Sequence, residues 1–135
     1  MSSKSRPRAT FASGSRWEPV IGYSRAVRAG CHIFVSGTTA TDTEGRVLAP
    51  GDAGAQAEEC LRRIEAVLLE AGSSLADVVR TRIYVADIDA WEAVGEVHRK
   101  VFGEIRPAAT MVEISRFIMP GILVEIEVDA VVAEC

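Results

Sequence analysis

Residues 57–85 read AEECLRRIEAVLLEAGSSLADVVRTRIYV, and this stretch decides the fold. Its first half repeats apolar residues every three or four positions with charged residues between them, which predicts an amphipathic helix. Gly72 ends this pattern. Polar and apolar residues then alternate in places from Arg80 to Val85, which indicates a strand with two different faces. A helix followed directly by such a strand favours a fold that mixes the two elements.

The flanking segments predict more of both. On the amino-terminal side, two apolar stretches between Ser24 and Thr39 flank the turn signal 28–30, which predicts a hairpin. On the other side, a second apolar stripe from Trp91 to Phe102 predicts another helix.

The carboxyl-terminal part predicts two further strands. Pro107 should make Arg106 extended, Thr110 to Ile114 reads as a strand, and residues 122–132 read as a longer one. In that last strand, apolar residues alternate with Glu125, Glu127 and Asp129, so one face should meet helices and the other something polar. The order predicts an α+β fold, with a mixed β-sheet and both helices packed on one face.

The composition is that of one small domain. The 135 residues are 48% hydrophobic and 25% charged, enough for a single core. We expect a flexible basic tail over residues 1–10 and one domain over residues 11–135. The start has no apolar segment typical of a secretory signal, and no apolar run reaches membrane-spanning length, so we expect a soluble, cytoplasmic protein that does not bind membranes.

Charge and cysteine spacing exclude several partners. A net charge of −4 argues against nucleic-acid binding, which depends on clustered basic residues. Three widely spaced cysteines without a C-x-x-C motif argue against a disulfide framework or zinc ribbon and favour reduced thiols. His32 beside Cys31 would face the opposite way on a strand, so we expect no metal site.

Several linked motifs carry a resemblance to a known family. They are GYSRAV at 22–27, FVSG at 34–37, AGSSLADVV at 71–79, RPA at 106–108 and VEIE at 124–127. In this order and spacing, from about residue 17 to 131, the chain resembles the Rid (reactive intermediate deaminase, RidA/YjgF-like) family. The resemblance implies a chorismate-mutase-like fold, a homotrimer and clefts between subunits that bind a small metabolite. It also implies hydrolysis of enamines or imines to carbonyl compounds and ammonia, with no cofactor.

One position departs from the family's deaminating branch. Where that branch has an arginine that binds the substrate carboxylate, this chain has Ala109. Arg106 and Arg116 are each an odd number of residues away, so in a regular strand they would point to the other face. The sequence therefore resembles a branch that lacks the substrate-binding arginine.

The resemblance suggests two catalytic residues. It places Glu125 in the cleft, where a carboxylate could orient or deprotonate water. The alternative is that Glu125, Glu127 and Asp129 form a polar inter-subunit face paired with Arg80 and Arg82. Tyr23 matches a cleft tyrosine that could form the pocket wall and donate a hydrogen bond, or it could be a structural turn residue.

The remaining candidates would bind substrate. Ser36 and Gly37 end a strand where a ligand could approach the backbone, unless they form only a bulge. Thr110 could bind a neutral oxygen beside Ala109. His98 could transfer a proton, although its place on an apolar helix stripe favours a buried structural histidine.

Two functions follow as hypotheses. One is a hydrolase or deaminase that acts on a small enamine or imine, other than 2-aminoacrylate, in an inter-subunit cleft. The other is a non-catalytic trimer that binds a metabolite and regulates a partner. RNA cleavage, ascribed to some relatives, conflicts with the acidic charge.

Overall fold

A six-stranded sheet with the strand order β1-β2-β3-β6-β4-β5 forms the centre of the computed structural model, which describes residues 8–134. The elements in chain order are β1 (Arg8–Phe11), β2 (Ala26–Ala29), β3 (His32–Thr39), α1 (Ala53–Glu70), β4 (Val78–Val85), α2 (Trp91–Phe102), β5 (Ala108–Glu113) and β6 (Val124–Val131). Neighbouring strands are antiparallel except β4 and β5, which α2 joins as a crossover. The predicted mixed sheet with two helices is confirmed.

One face of the sheet and the two helices enclose the core. On β6, Val124, Ile126, Val128 and Ala130 are at most 1% exposed. They pack with the apolar side of α1, whose Cys60, Ile64 and Leu68 are fully buried, and with Val94 of α2. The period-two pattern of the strand and the helical pattern of residues 57–71 therefore meet in one core, as predicted.

The other face of the sheet is polar at its centre. Tyr84 Oη donates a 2.5 Å hydrogen bond to Glu127, and Arg82 lies 3.3 Å from Asp129. The predicted pairing of this acidic face with arginines is thus confirmed for Asp129. Glu125 lies opposite Tyr84 and not opposite an arginine.

Three expectations fail. Arg8, Ala9 and Thr10, assigned to the flexible tail, pair with β2 as part of β1; residues 1–7 lie outside the described part. Arg106 is not extended but has φ 55°, because α2 ends in a turn whose Phe102 carbonyl accepts the Arg106 N–H. Cys31 is disulfide-bonded, so the expectation of reduced thiols is wrong there, whereas Cys60 is a free, buried thiol.

Between residues 8 and 134, no helix is both long enough and apolar enough to cross a membrane.

Candidate active site

An irregularity in β3 creates the centre of the site. The register between β3 and β6 shifts between Val35 and Thr38, so Ser36 and Gly37 bulge from the ladder. A Cβ atom at Gly37 would lie 2.4 Å from Oε2 of Glu125. The carboxylate of Glu125 therefore occupies the space that a side chain at residue 37 would fill, and only glycine permits this packing.

Glu125 differs from the other two acids of its strand. It is partly buried, and its carboxylate makes no hydrogen bond or ion pair with the described residues. Burial raises the pKa of Glu125, and the charge of Glu127 adds to this, while Arg25 partly opposes it. A carboxyl group with a raised pKa and no fixed partner holds a proton more readily than an ordinary glutamate and can exchange it with a ligand.

Arg25 connects the parts of the site. Its Nη1 donates to the carbonyl oxygen of Gly37 at 2.7 Å and to Thr38 Oγ1 at 3.0 Å, which fixes the bulge. Its Nε lies 3.7 Å from the buried carboxylate of Glu18, and its guanidinium lies near the Tyr23 ring and hydroxyl. Arg25 thus holds the bulge and Tyr23 in one arrangement and supplies a positive charge near Glu125.

A cavity of about 660 Å³ opens beside these residues, within the usual size of small-molecule sites. Tyr23, Gly37 and Glu125 line it together, so the structure brings three of the predicted residues to one place. Much of the remaining wall is apolar, and it comes from the segment before β2 and the loop 114–123. These apolar residues are Trp17, Ile21, Ile114, Phe117, Ile118, Met119 and Ile122.

Four predicted residues do not line the cavity of this chain: Ser36, Ala109, Thr110 and His98. Ser36 Oγ donates to the carbonyl oxygen of Ser24 at 2.7 Å, so this hydroxyl is engaged with the backbone. Ala109 and Thr110 are exposed on β5, the edge strand, opposite Thr81 and Arg82 respectively. They are separated from Glu125 in the sheet by β4.

His98 lies on the core side of α2. Its Nε2 is 2.9 Å from Oγ1 of the buried Thr81, and its ring packs on Phe102. Burial lowers the pKa of His98, which favours the neutral ring. It does not reach the cavity, and its environment is that of a structural histidine.

Reasoning from the sequence missed Arg25, Arg62 and Arg63, which line the cavity, and it set Arg116 aside on the assumption of a regular strand. Arg25 belongs to the GYSRAV motif, but nothing in the spacing shows that its side chain turns onto the bulge in the next strand. Among residues 8–134, no group of three or more His, Cys, Asp or Glu side chains could hold a metal ion.

Comparisons with known proteins define the class of this α+β chain. The sequence model of the Endoribonuclease L-PSP family matches residues 13–132. A RutC family protein of Pyrococcus abyssi is 37% identical over 110 residues, which cover 82% of this chain and 86% of that protein. The 3-aminoacrylate deaminase RutC of Acinetobacter baylyi is 34% identical and is covered to 85%, against 80% of this chain.

A solved structure agrees with these matches. Rv2704 of Mycobacterium tuberculosis, described as a member of the YjgF/YER057c/UK114 family, superimposes with a TM-score of 0.85 and 52% identity. The match covers 93% of this chain and all of that one. The chain therefore belongs to the Endoribonuclease L-PSP family, the same group that the Rid and YjgF names denote.

Proposed function

We propose that this protein is a deaminase that hydrolyses a small enamine or imine in the cavity beside Glu125. The observation that carries the proposal is the carboxylate of Glu125, seated over Gly37 with a raised pKa and no fixed partner. The name of the Acinetobacter relative, a 3-aminoacrylate deaminase, supports the same class of reaction.

The chemistry requires one group that moves protons. Glu125, whose carboxyl group holds a proton more readily than usual, would donate that proton to the enamine carbon or to the imine nitrogen, and either transfer gives an iminium ion. The resulting carboxylate takes a proton from water as the water oxygen attacks the iminium carbon, which forms a carbinolamine and restores the carboxyl group. Glu125 then protonates the amine of the carbinolamine. As ammonia leaves, the carboxylate removes the hydroxyl proton, so a carbonyl compound forms and Glu125 is again protonated.

The surrounding residues would position the substrate. Tyr23 lines the cavity, and Arg25 holds that tyrosine and the bulge in place. Gly37 gives room to Glu125 and lets a ligand approach the backbone. Ser36 would contribute through the conformation of the bulge, since its hydroxyl is bonded to Ser24.

We also propose that the site is completed in a homotrimer. The family resemblance supports this assembly, and so does the exposed Phe34 beside the polar centre of the open sheet face. Ala109 and Thr110 are exposed on the edge strand, where a neighbouring copy could bring them to its own cavity. The absence of an arginine at Ala109 would then alter how that cleft holds a carboxylate.

The test is whether the purified protein shortens the lifetime of an imine. An amino-acid oxidase generates the imine, and semicarbazide competes with the protein to trap it. We expect less semicarbazone and faster ammonia release when the protein is present. The imines are made from a panel of apolar and polar amino acids. If the protein leaves the semicarbazone yield unchanged for all of them, the proposed deaminase activity is refuted.

The second candidate is a non-catalytic trimer that binds a metabolite. Ala109 favours it, because the resemblance associates an arginine at this position with the deaminating branch. It predicts that a carbonyl or imine-like ligand binds in the cavity while ammonia release stays at the spontaneous rate. Calorimetric binding together with the trapping assay separates the two functions.

A further inference from the structure

Arginines are concentrated at the cavity, although the protein as a whole is acidic. The chain has a net charge of −4, yet four arginines and only three carboxylates line the cavity. They are Arg25, Arg62, Arg63 and Arg116, with Asp42, Glu70 and Glu125.

Three of the four guanidinium groups are already engaged. Arg25 is held by Glu18 and by the backbone of the bulge. Arg62 and Arg63 share the carboxylate of Glu59, one turn earlier on α1. Arg116 is exposed and makes no hydrogen bond or ion pair with residues 8–134. It is the guanidinium at this cavity that can accept a ligand without losing a partner.

Arg116 lies beyond the end of a strand. In a regular strand its side chain would point to the face opposite that of Ala109, but β5 ends at Glu113. Arg116 belongs to the loop 114–123, whose side chains Ile114, Phe117, Ile118 and Met119 also line the cavity. Alternation of side chains applies only within the strand, so it does not exclude Arg116.

We propose that Arg116 binds the carboxylate of an anionic substrate and so replaces the missing arginine of β5. The apolar side chains beside it would hold a hydrophobic substituent of the same molecule. The substrate class is therefore a 2-imino or 2-enamino acid with an apolar side chain, larger than 2-aminoacrylate. This assignment rests on the proposed function for the imine or enamine group, but not for the anionic group.

The test uses calorimetry to measure the binding of two stable compounds, a 2-oxo acid that resembles the product of hydrolysis and the uncharged ester of that acid. The probes are 4-methyl-2-oxopentanoate and its uncharged methyl ester, titrated into the unmodified protein, Arg116→Gln and Arg99→Gln. Arg99 is a matched control, since it is exposed on α2, outside the cavity, and paired only within its own helix.

We expect the acid to bind the unmodified protein more tightly than the ester. Arg116→Gln should weaken the acid roughly tenfold, the lower end of the range for a charged hydrogen bond because the arginine is exposed. It should leave the ester unchanged, and Arg99→Gln should change neither. Added salt should weaken binding of the acid only.

Equal binding of acid and ester, no effect of Arg116→Gln, or no binding of the acid up to about 10 mM would each overturn the assignment. Loss of acid binding in Arg116→Gln without any imine hydrolysis would refute the deaminase and leave the anionic site in place. Imine hydrolysis whose KM for an anionic substrate is the same in Arg116→Gln would refute this assignment alone.

Discussion

Replacing Gly37 by alanine should separate activity from stability. The added Cβ would lie 2.4 Å from Oε2 and 2.9 Å from Cδ of Glu125, against an ordinary contact of about 3.5 Å. The carboxylate must therefore move by roughly 1 Å. Because it is the free end of a flexible side chain, we expect the free energy of unfolding to fall by only about 1 kcal/mol, the lower end of the cost of overpacking.

Turnover should fall much further. A displacement of about 1 Å of a catalytic group can lower the rate roughly a hundredfold. The measurements are ammonia release for activity and urea unfolding for stability. Gly95→Ala is the matched control, since a Cβ at Gly95 meets nothing within 4 Å. Alanine there should stabilise α2 by up to about 1 kcal/mol and leave turnover unchanged.

A second comparison tests whether the effect acts through Glu125. If Gly37→Ala works by displacing that carboxylate, it should add little to the loss already caused by Glu125→Gln. Full turnover in Gly37→Ala would show that the position of the carboxylate does not matter. A collapse of the fold in this variant would show that the bulge is structural above all.

Three further predictions concern specificity, pH and assembly. The protein should handle 2-aminoacrylate poorly, because this small substrate lacks the apolar substituent that the wall beside Arg116 would hold. Ala109→Arg adds a second guanidinium and should raise ammonia release from 2-aminoacrylate in a coupled assay by about tenfold, whereas efficient turnover by the unmodified protein would contradict the expectation. Burial lowers the pKa of His98 from its ordinary 6.5, so the unfolded chain binds the proton more readily and the free energy of unfolding should fall as pH drops below 6.5. The free energy of unfolding, measured with urea, should change less with pH between about 5 and 7 in His98→Gln than in the unmodified protein. An equal change in both proteins would assign the proton to another group. Light scattering should give the mass of a trimer, and a stable monomer at micromolar concentration would remove the inter-subunit cleft.

The fold could be predicted because its main elements have strong periodic patterns. Residues 57–71 repeat with the helical period, and β6 alternates apolar residues with three acids, so both show which side faces the core. β1 has only four residues and is mostly exposed, so it has no such pattern, and the sequence alone places its first three residues in the tail. The left-handed conformation of Arg106 results from the turn that ends α2. The expectation of an extended Arg106 considered only the following proline and not this turn.

The site could be predicted only in part. Tyr23, Gly37 and Glu125 come from three different segments, and the resemblance indicated all three. It did not indicate that Gly37 makes room for Glu125, because that contact depends on a bulge of β3 against β6. Arg25 was missed, and Arg116 was set aside, because side-chain direction in a hairpin and in a loop is set by tertiary contacts and not by spacing.

The most direct test of the account is ammonia release from a freshly generated imine by the unmodified protein, Glu125→Gln and Glu127→Gln. The two acids lie on the same face of β6, but Glu127 is bonded to Tyr84 and lies outside the cavity. The account predicts that Glu125→Gln stays folded and falls to the spontaneous rate, because an amide cannot exchange the proton. Glu127→Gln should keep its turnover. Equal turnover in all three proteins would contradict the role of Glu125.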